Sequence, residues 1–465
     1  MSSIKPYGAF LAAKAARDPA TGISDVRGLP TALADFQAAI VPWALRRGRA
    51  ALFAGTGLGK TLMEMAWADA VARAANAPVL ILTPLAVAPQ FVSEAEKFGL
   101  EVRRAASDAD ITGPGVYVTN YDKLGRFDLT RLAGIVLDES SILKAFDGKT
   151  RNALIDGARR VPFRLAASAT PAPNDFMELG NHAEFLGVMS HAEMLATFFI
   201  HDGGDTSKWR LKRHAEDAFW RWVASWAVMI TKPSDIGFAD GAYRLPPLRM
   251  HEHLVDSDAD QAAGMGMLFP MEARTMAERL SARRSSVSAR VDRAGEIIAS
   301  HDRPAVAWCN LNAESEAMGR ASGGVEVRGS DSEGRKEEVL GAFARGEIRV
   351  LVTKPSICGF GMNWQHCHDT AFVGLNDSFE QLYQSIRRFW RFGQGHAVDA
   401  HLVAARVEGA VLANLKRKEA DAQRMQDAMV AAMAGFTDVV AAPVVREKAD
   451  YTRRSMALPS FMEAA

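Results

Sequence analysis

Residues 54–61 read AGTGLGKT, and how this octet is read decides how the rest of the chain is parsed. It follows ALFAG (51–55), an apolar run that reads as a strand, and it opens a segment from Lys60 onward that reads as a helix. Glycine has no Cβ, so backbone N–H groups in such a turn can close on phosphate oxygens. The N-terminus of the following helix adds partial positive charge at the same place. In that arrangement Gly55, Thr56, Gly57, Leu58 and Gly59 form the cradle. Lys60 reaches the β- and γ-phosphates of ATP, and the Thr61 hydroxyl faces Mg2+. The strict pattern begins with glycine, where this chain has Ala54. The plain alternative is a glycine-rich turn with an incidental Lys-Thr. The strand before, the helix after and the intact GLGKT argue against it.

A phosphate loop of this kind needs a second strand end that brings an acid for the metal and a group for the attacking water. VLDESS (136–141) fits, 78 residues beyond Lys60. In a parallel sheet, the carboxyl ends of adjacent strands open on one edge, where ligands bind. Asp138 is then the metal acid and Glu139 the group that orients water. Alone, two acids after a strand describe a solvated turn equally well.

Strands and helices alternate through the chain, which implies α/β layers with parallel strands. In the first half, strands are expected at 51–55, 79–84, 116–121, 135–140 and 163–171, followed by an aromatic, helix-like stretch with Trp209, Trp220, Trp222 and Trp226. RLPPLRM (244–250) reads as a linker, because Pro246 and Pro247 forbid a helix. A second α/β pattern has strands at 304–310, 348–354 and 369–375, with HLVAARV (401–407) closing the sheet. The expected division is a loose arm (1–30), a first lobe (31–245) with a helical insertion at about 186–230, a second lobe (246–408), and a C-terminal helix and tail (409–465).

Composition narrows the function classes. The 465 residues carry 55 basic and 55 acidic side chains, so a nucleic-acid partner is not announced by global charge and needs a local groove. Three cysteines are too few for a disulfide framework and suit a reducing cytoplasm. No run of 18 apolar residues appears, so no membrane span is expected.

Taken in order, the motifs resemble those of superfamily 2 helicase-type ATPases, within them the Swi/Snf-type translocase branch, and more closely its compact phage-encoded members. The resemblance spans about residues 33–420. LADFQAAI (33–40) resembles the segment whose glutamine reads adenine, here Gln37. LTPLAVAPQF (82–91) and TNYDKL (119–124) resemble elements that touch a nucleic-acid backbone, which implicates Thr83, Pro84 and Thr119. DESS stands where the family has DEAH, DEGH or DEAD. SATP (168–171) resembles the motif that couples hydrolysis to movement, through Ser168 and Thr170. GFGMNW (359–364) resembles a G-x-G-x-N motif, which points to Gly361 and Asn363. QSIRRFWRFGQ (384–394) resembles Q-x-x-x-R-x-x-R-x-G-Q, which selects Gln384, Arg388 and Arg391 and leaves Arg387 out.

The resemblance implies two RecA-like lobes with ATP and Mg2+ between them. It also implies a nucleic-acid-stimulated ATPase that moves along duplex DNA through backbone contacts. Arginines three apart share a helix face, so Arg388 and Arg391 are expected to face the cleft together. A strand-separating DNA or RNA helicase stays open, as does a non-hydrolysing ATP-gated clamp, because Ser141 replaces the residue that helps couple ATP state to the lobes. A monomer is expected, with the tail as a possible protein-binding segment. HCH (366–368) invites a metal reading, but three adjacent residues cannot converge on one ion from a strand. The tryptophans read as core, His201, Asp202 and Asp205 as a loop, and RLKRH (210–214) and LKRKE (415–419) as either phosphate contacts or solvated charge.

Overall fold

Strands Arg49–Ala54 (β1), Pro78–Thr83 (β2), Gly115–Asn120 (β4), Gly134–Asp138 (β5) and Phe163–Ser168 (β6) are apolar on both faces and buried on both. Only parallel pairing between helical layers satisfies such strands. With Val102–Arg104 (β3) and Ala227–Ile230 (β9), they form an all-parallel sheet in the order β3-β4-β2-β5-β6-β1-β9. The computed structural model describes residues 21–84, 87–144, 148–202, 205–256, 283–358, 363–376 and 378–433.

The second lobe repeats the design. Leu248–Val255 (β10), Ala305–Trp308 (β11), Val325–Glu326 (β12), Val350–Thr353 (β13), Asp369–Phe372 (β14) and Val398–Ala405 (β15) form a parallel sheet in the order β10-β15-β14-β11-β13-β12. The protein therefore has two RecA-like α/β lobes and a helical C-terminal extension. No described helix is long and apolar enough to cross a membrane.

Several expectations are corrected. β1 and β5 are not neighbours, because β6 lies between them. The expected linker ends at Pro247, since Leu248 already pairs with Val398. β10 forms the sheet edge, so β15 does not close it. The insertion is not purely helical. His201, Asp202 and Asp205 lie in an antiparallel hairpin, Phe199–Asp202 (β7) and Asp205–Leu211 (β8), and β9 joins the main sheet beside β1. Within the expected arm, residues 21–23 bond to carbonyls at the end of the helix Asp35–Arg47 (α1). The remainder of that arm (1–20) and the tail from 434 lie outside the described residues. Trp220 and Trp226 are core residues, as their spacing implies.

The C-terminal helix, Gly409–Ala432, spans two cores. Val411, Leu412 and Leu415 are buried in the second lobe, whereas Met425, Met429 and the following Met433 belong to the first-lobe core. From Leu412 to Met429 is about 25 Å along the axis at ~1.5 Å per residue. At its end the Met229 amide donates to Met433 Sδ (3.2 Å), and Gln426 Nε2 donates to Thr231 Oγ1 (2.9 Å). Two charges of LKRKE are used here, Lys416 with Glu252 and Lys418 with Asn174 Oδ1. Met429→Ala is therefore expected to destabilise the first lobe, and Leu412→Ala the second, each by ~2–5 kcal/mol. Chemical denaturation followed by tryptophan fluorescence checks this. Destabilisation of one lobe only would refute the two-core reading.

Candidate active site

The helix Lys60–Ala75 (α2) follows β1, and the loop between them takes a shape that favours glycine at two positions. Gly57 has φ +90° and Gly59 φ +74°. A Cβ on Gly57 would come within 2.6 Å of the Phe392 amide nitrogen, and one on Gly59 within 2.4 Å of Gln37 Nε2. Lys60 Nζ donates to the Ala54 carbonyl (3.0 Å), which folds the ammonium over the loop. Gln37 Nε2 donates to the Leu58 carbonyl (2.8 Å), and its Oε1 accepts from the Ala34 amide (2.9 Å). The amide thus braces the loop and still has one N–H and one lone pair to offer. Gly55 departs from the expected cradle, because its N–H donates to the Ile230 carbonyl (2.8 Å) and it lines a different cavity.

The acids meet the loop across β6. Asp138 ends β5 and is 6% exposed, and the Tyr121 hydroxyl donates to its carbonyl (2.7 Å). Glu139 has φ +53°; among the described residues only it and Asn76 are non-glycine residues with positive φ. A bulky residue in that region is strained by about 1 kcal/mol or more, a conformation that clusters at functional sites. Glu139 Oε2 is buried without a hydrogen-bond partner. A third acid lies behind. Glu64, one turn into α2, is fully buried, and neither oxygen has a hydrogen-bond partner. Burial raises the Asp138 carboxyl well above the usual range. The Glu139 charge adds to this, and Lys60 and Arg388 oppose it. Burial likewise raises Glu64.

A cleft of ≈420 Å³ between the lobes is lined by Gln37, Thr56, Gly57, Gly59, Lys60, Thr61, Asp138 and Glu139 from one side and by Asn363, Arg388, Arg391 and Phe392 from the other. The arginines converge as expected, but not from a helix. The helix Phe379–Ile386 ends before them, and both sit in the turn that follows. Gln384 is 1% exposed and outside the cleft lining. Its carbonyl accepts from Arg388 Nε (3.0 Å) and its Oε1 from Arg388 Nη2 (3.2 Å). It holds Arg388 and does not line the cleft. Arg387 points elsewhere, stacked on Tyr383 and Trp390 at 4.7 and 4.2 Å. Gly361 lies outside the described residues.

The residues expected to touch nucleic acid or couple to it are placed differently. Thr83 and Thr119 are buried, and Thr83 Oγ1 donates to the Pro84 carbonyl (3.0 Å), so neither hydroxyl is offered to a phosphate. Pro84 is half-buried beside them. Ser168 is buried and accepts from the Thr170 amide (3.0 Å), which fixes the turn after β6; Thr170 is itself 6% exposed. In HCH the side chains diverge: the Cys367 thiol donates to the Pro304 and Asp369 carbonyls, His366 packs on Phe343, and His368 stacks on His396. Sequence reasoning missed Glu94 and Tyr243, which also line the cleft. Tyr243 packs edge-to-face on Phe36 (5.0 Å) and tilted against Phe392 (4.8 Å). Its place just ahead of the Pro-Pro linker was the available signal.

No family model matches the chain, and no curated protein matches it. Among solved structures it is similar to the Sulfolobus solfataricus SWI2/SNF2 ATPase core in complex with dsDNA, at 18% identity and a TM-score of 0.42, over 82% of this chain and 89% of that one.

Two measurements test the site without turnover. Glu139→Gly relieves the left-handed backbone and is expected to stabilise the ligand-free protein by ~1 kcal/mol; a lower thermal midpoint would contradict the strain. Asp138 has a folded pKa raised above its unfolded value of ~3.9, so the folded state binds more protons above that pH. Its contribution is fully present below that value and is lost as pH rises through the raised one. Asp138→Asn is expected to flatten that fall, and an unchanged slope of stability against pH would refute the burial argument.

Proposed function

We propose that the chain is a nucleic-acid-stimulated ATPase that converts interlobe closure into movement along DNA. The observation that supports it is the convergence in one cleft of the phosphate loop, the Asp138–Glu139 pair and two arginines from the opposite lobe. The donors fit an ATP–Mg2+ ligand. At Gly57 a Cβ would meet the Phe392 backbone, and Glu139 presents a buried oxygen without a partner. Thr61 and Asp138 would hold Mg2+, which when bound supplies neutralisation of phosphate charge.

The chain's own residues do the rest. Gly57, Gly59 and Lys60 bind and orient the phosphates. Glu139, held by its strained turn, orients a water and accepts its proton. Arg388 and Arg391 approach from the second lobe and stabilise charge that grows on the transferred phosphoryl group. Without the second lobe the site lacks these cations, so hydrolysis depends on closure. DNA as the polymer is inferred from the order of the sequence motifs. Backbone contact is not assigned to the Thr83 and Thr119 hydroxyls, because both are buried.

ATP turnover stimulated by duplex DNA is expected. Lys60→Ala and Glu139→Gln should each lower kcat by ~10²-fold or more, and Arg388→Ala by ~10³-fold or more with ATP binding retained. Steady-state ATPase assays with and without duplex check this. A wild type without turnover, or one indifferent to Lys60→Ala, would sink the reading. Triplex displacement without strand separation would support translocation, and unwinding alone would favour a strand-separating helicase.

A further inference from the structure

The segment that carries the catalytic acids continues past the serines as a short turn, Ser140–Lys144. Its last residue crosses to the other lobe, where the Lys144 ammonium pairs with the Glu380 carboxylate. Glu380 lies in the first turn of the helix Phe379–Ile386, four residues before Gln384, which holds Arg388. The ion pair therefore sits six residues after Asp138 on one lobe and eight before Arg388 on the other.

Both ends of this link are fixed. Asn181, in the helix Leu179–Leu186, donates from Nδ2 to the Leu143 carbonyl (2.8 Å) and more weakly to that of Lys144 (3.4 Å). Its neighbour His182 is fully buried, and burial pushes its pKa down to about 4, so the ring is neutral. With His182 Nδ1 turned to the Glu178 carbonyl (3.4 Å), Nε2 is the acceptor for the Ser140 hydroxyl (3.1 Å). The first serine of DESS is thus bonded to a histidine brought in by another helix. On the second lobe the Glu380 side chain is 8% exposed and that of Lys144 39%. A carboxylate so far removed from water needs a partner, and an exposed pair would be worth little. Glu178 also faces both.

We propose that Lys144 and Glu380 are a positioning pair that sets the spacing of the lobes and so the reach of Arg388 toward the acids. The kinetic consequence rests on the ATPase reading; the geometric one does not. The test uses the full chain with Glu96→Cys and Glu338→Cys as dye positions, one on each lobe, to read lobe separation by energy transfer, together with steady-state ATPase on duplex DNA. Lys144→Glu and Glu380→Lys are each expected to widen the separation and to lower kcat about tenfold with KM for ATP changed less than about twofold; the double swap should restore both, as coupled residues do. Should a reversal fail to fold, Lys144→Met and Glu380→Gln take its place with the same expected direction.

Unchanged separation in both single variants overturns the proposal, whether or not the wild type turns over. So does a double swap no better than the worse single. A wild type that hydrolyses no ATP but whose lobe spacing depends on the pair and is rescued by the swap upholds the pair and defeats only the ATPase reading.

Discussion

Three carboxyl groups, Glu64, Asp138 and Glu139, are packed behind a single lysine. In a medium that screens poorly, burial and the neighbouring charges raise Glu64 and Asp138 above the usual carboxyl range. Lys60 is the only cation that the phosphate loop itself supplies, and the next to approach, Arg388, belongs to the other half of the protein. One lobe concentrates acid at the end of β5, the other delivers guanidinium groups from a turn, and neither makes a balanced site alone.

Sheet order explains how the two ligand-facing loops are tied together. β6 lies between β1 and β5 and pairs with both, Phe53 with Ser168 and Leu137 with Ala166. A shift of the turn after β6 must therefore be felt by the phosphate loop and by the acids at once. Ser168, buried and bonded to the Thr170 amide, stiffens that turn. Ser168 and Thr83 are thus mechanical parts of the sheet edge, with their hydroxyls bonded inside it.

Most of the frame was legible from residues. Apolar runs buried on both faces announce central parallel strands, and the glycine–lysine octet announces what stands at their ends. The weak strands were not legible: β9 is four residues inside an aromatic stretch, and β10 follows two prolines that mask it. Among the candidate site residues, those defined by backbone geometry or formal charge, in the loop, the acid pair and the arginines, line one cleft. Those that depend on burial were misplaced. Thr83, Thr119 and Gln384 have side chains suited to solvent or ligand, and only the packed structure shows them turned inward. Tyr243 and the Lys144–Glu380 pair depend on contacts between residues more than 140 apart, which spacing along one chain does not encode.

The helix Gly409–Ala432 bears on persistence of grip. With one end seated in each core, it keeps the halves of the protein within a helix length of each other. A polymer gripped by both would leave only when both release together, since the half that lets go first is kept at a high local concentration near its next contact, of millimolar order for a short tether. On the proposed function, release and rebinding by one half would then be intramolecular events, and residence on a long ligand would outlast the affinity of either half.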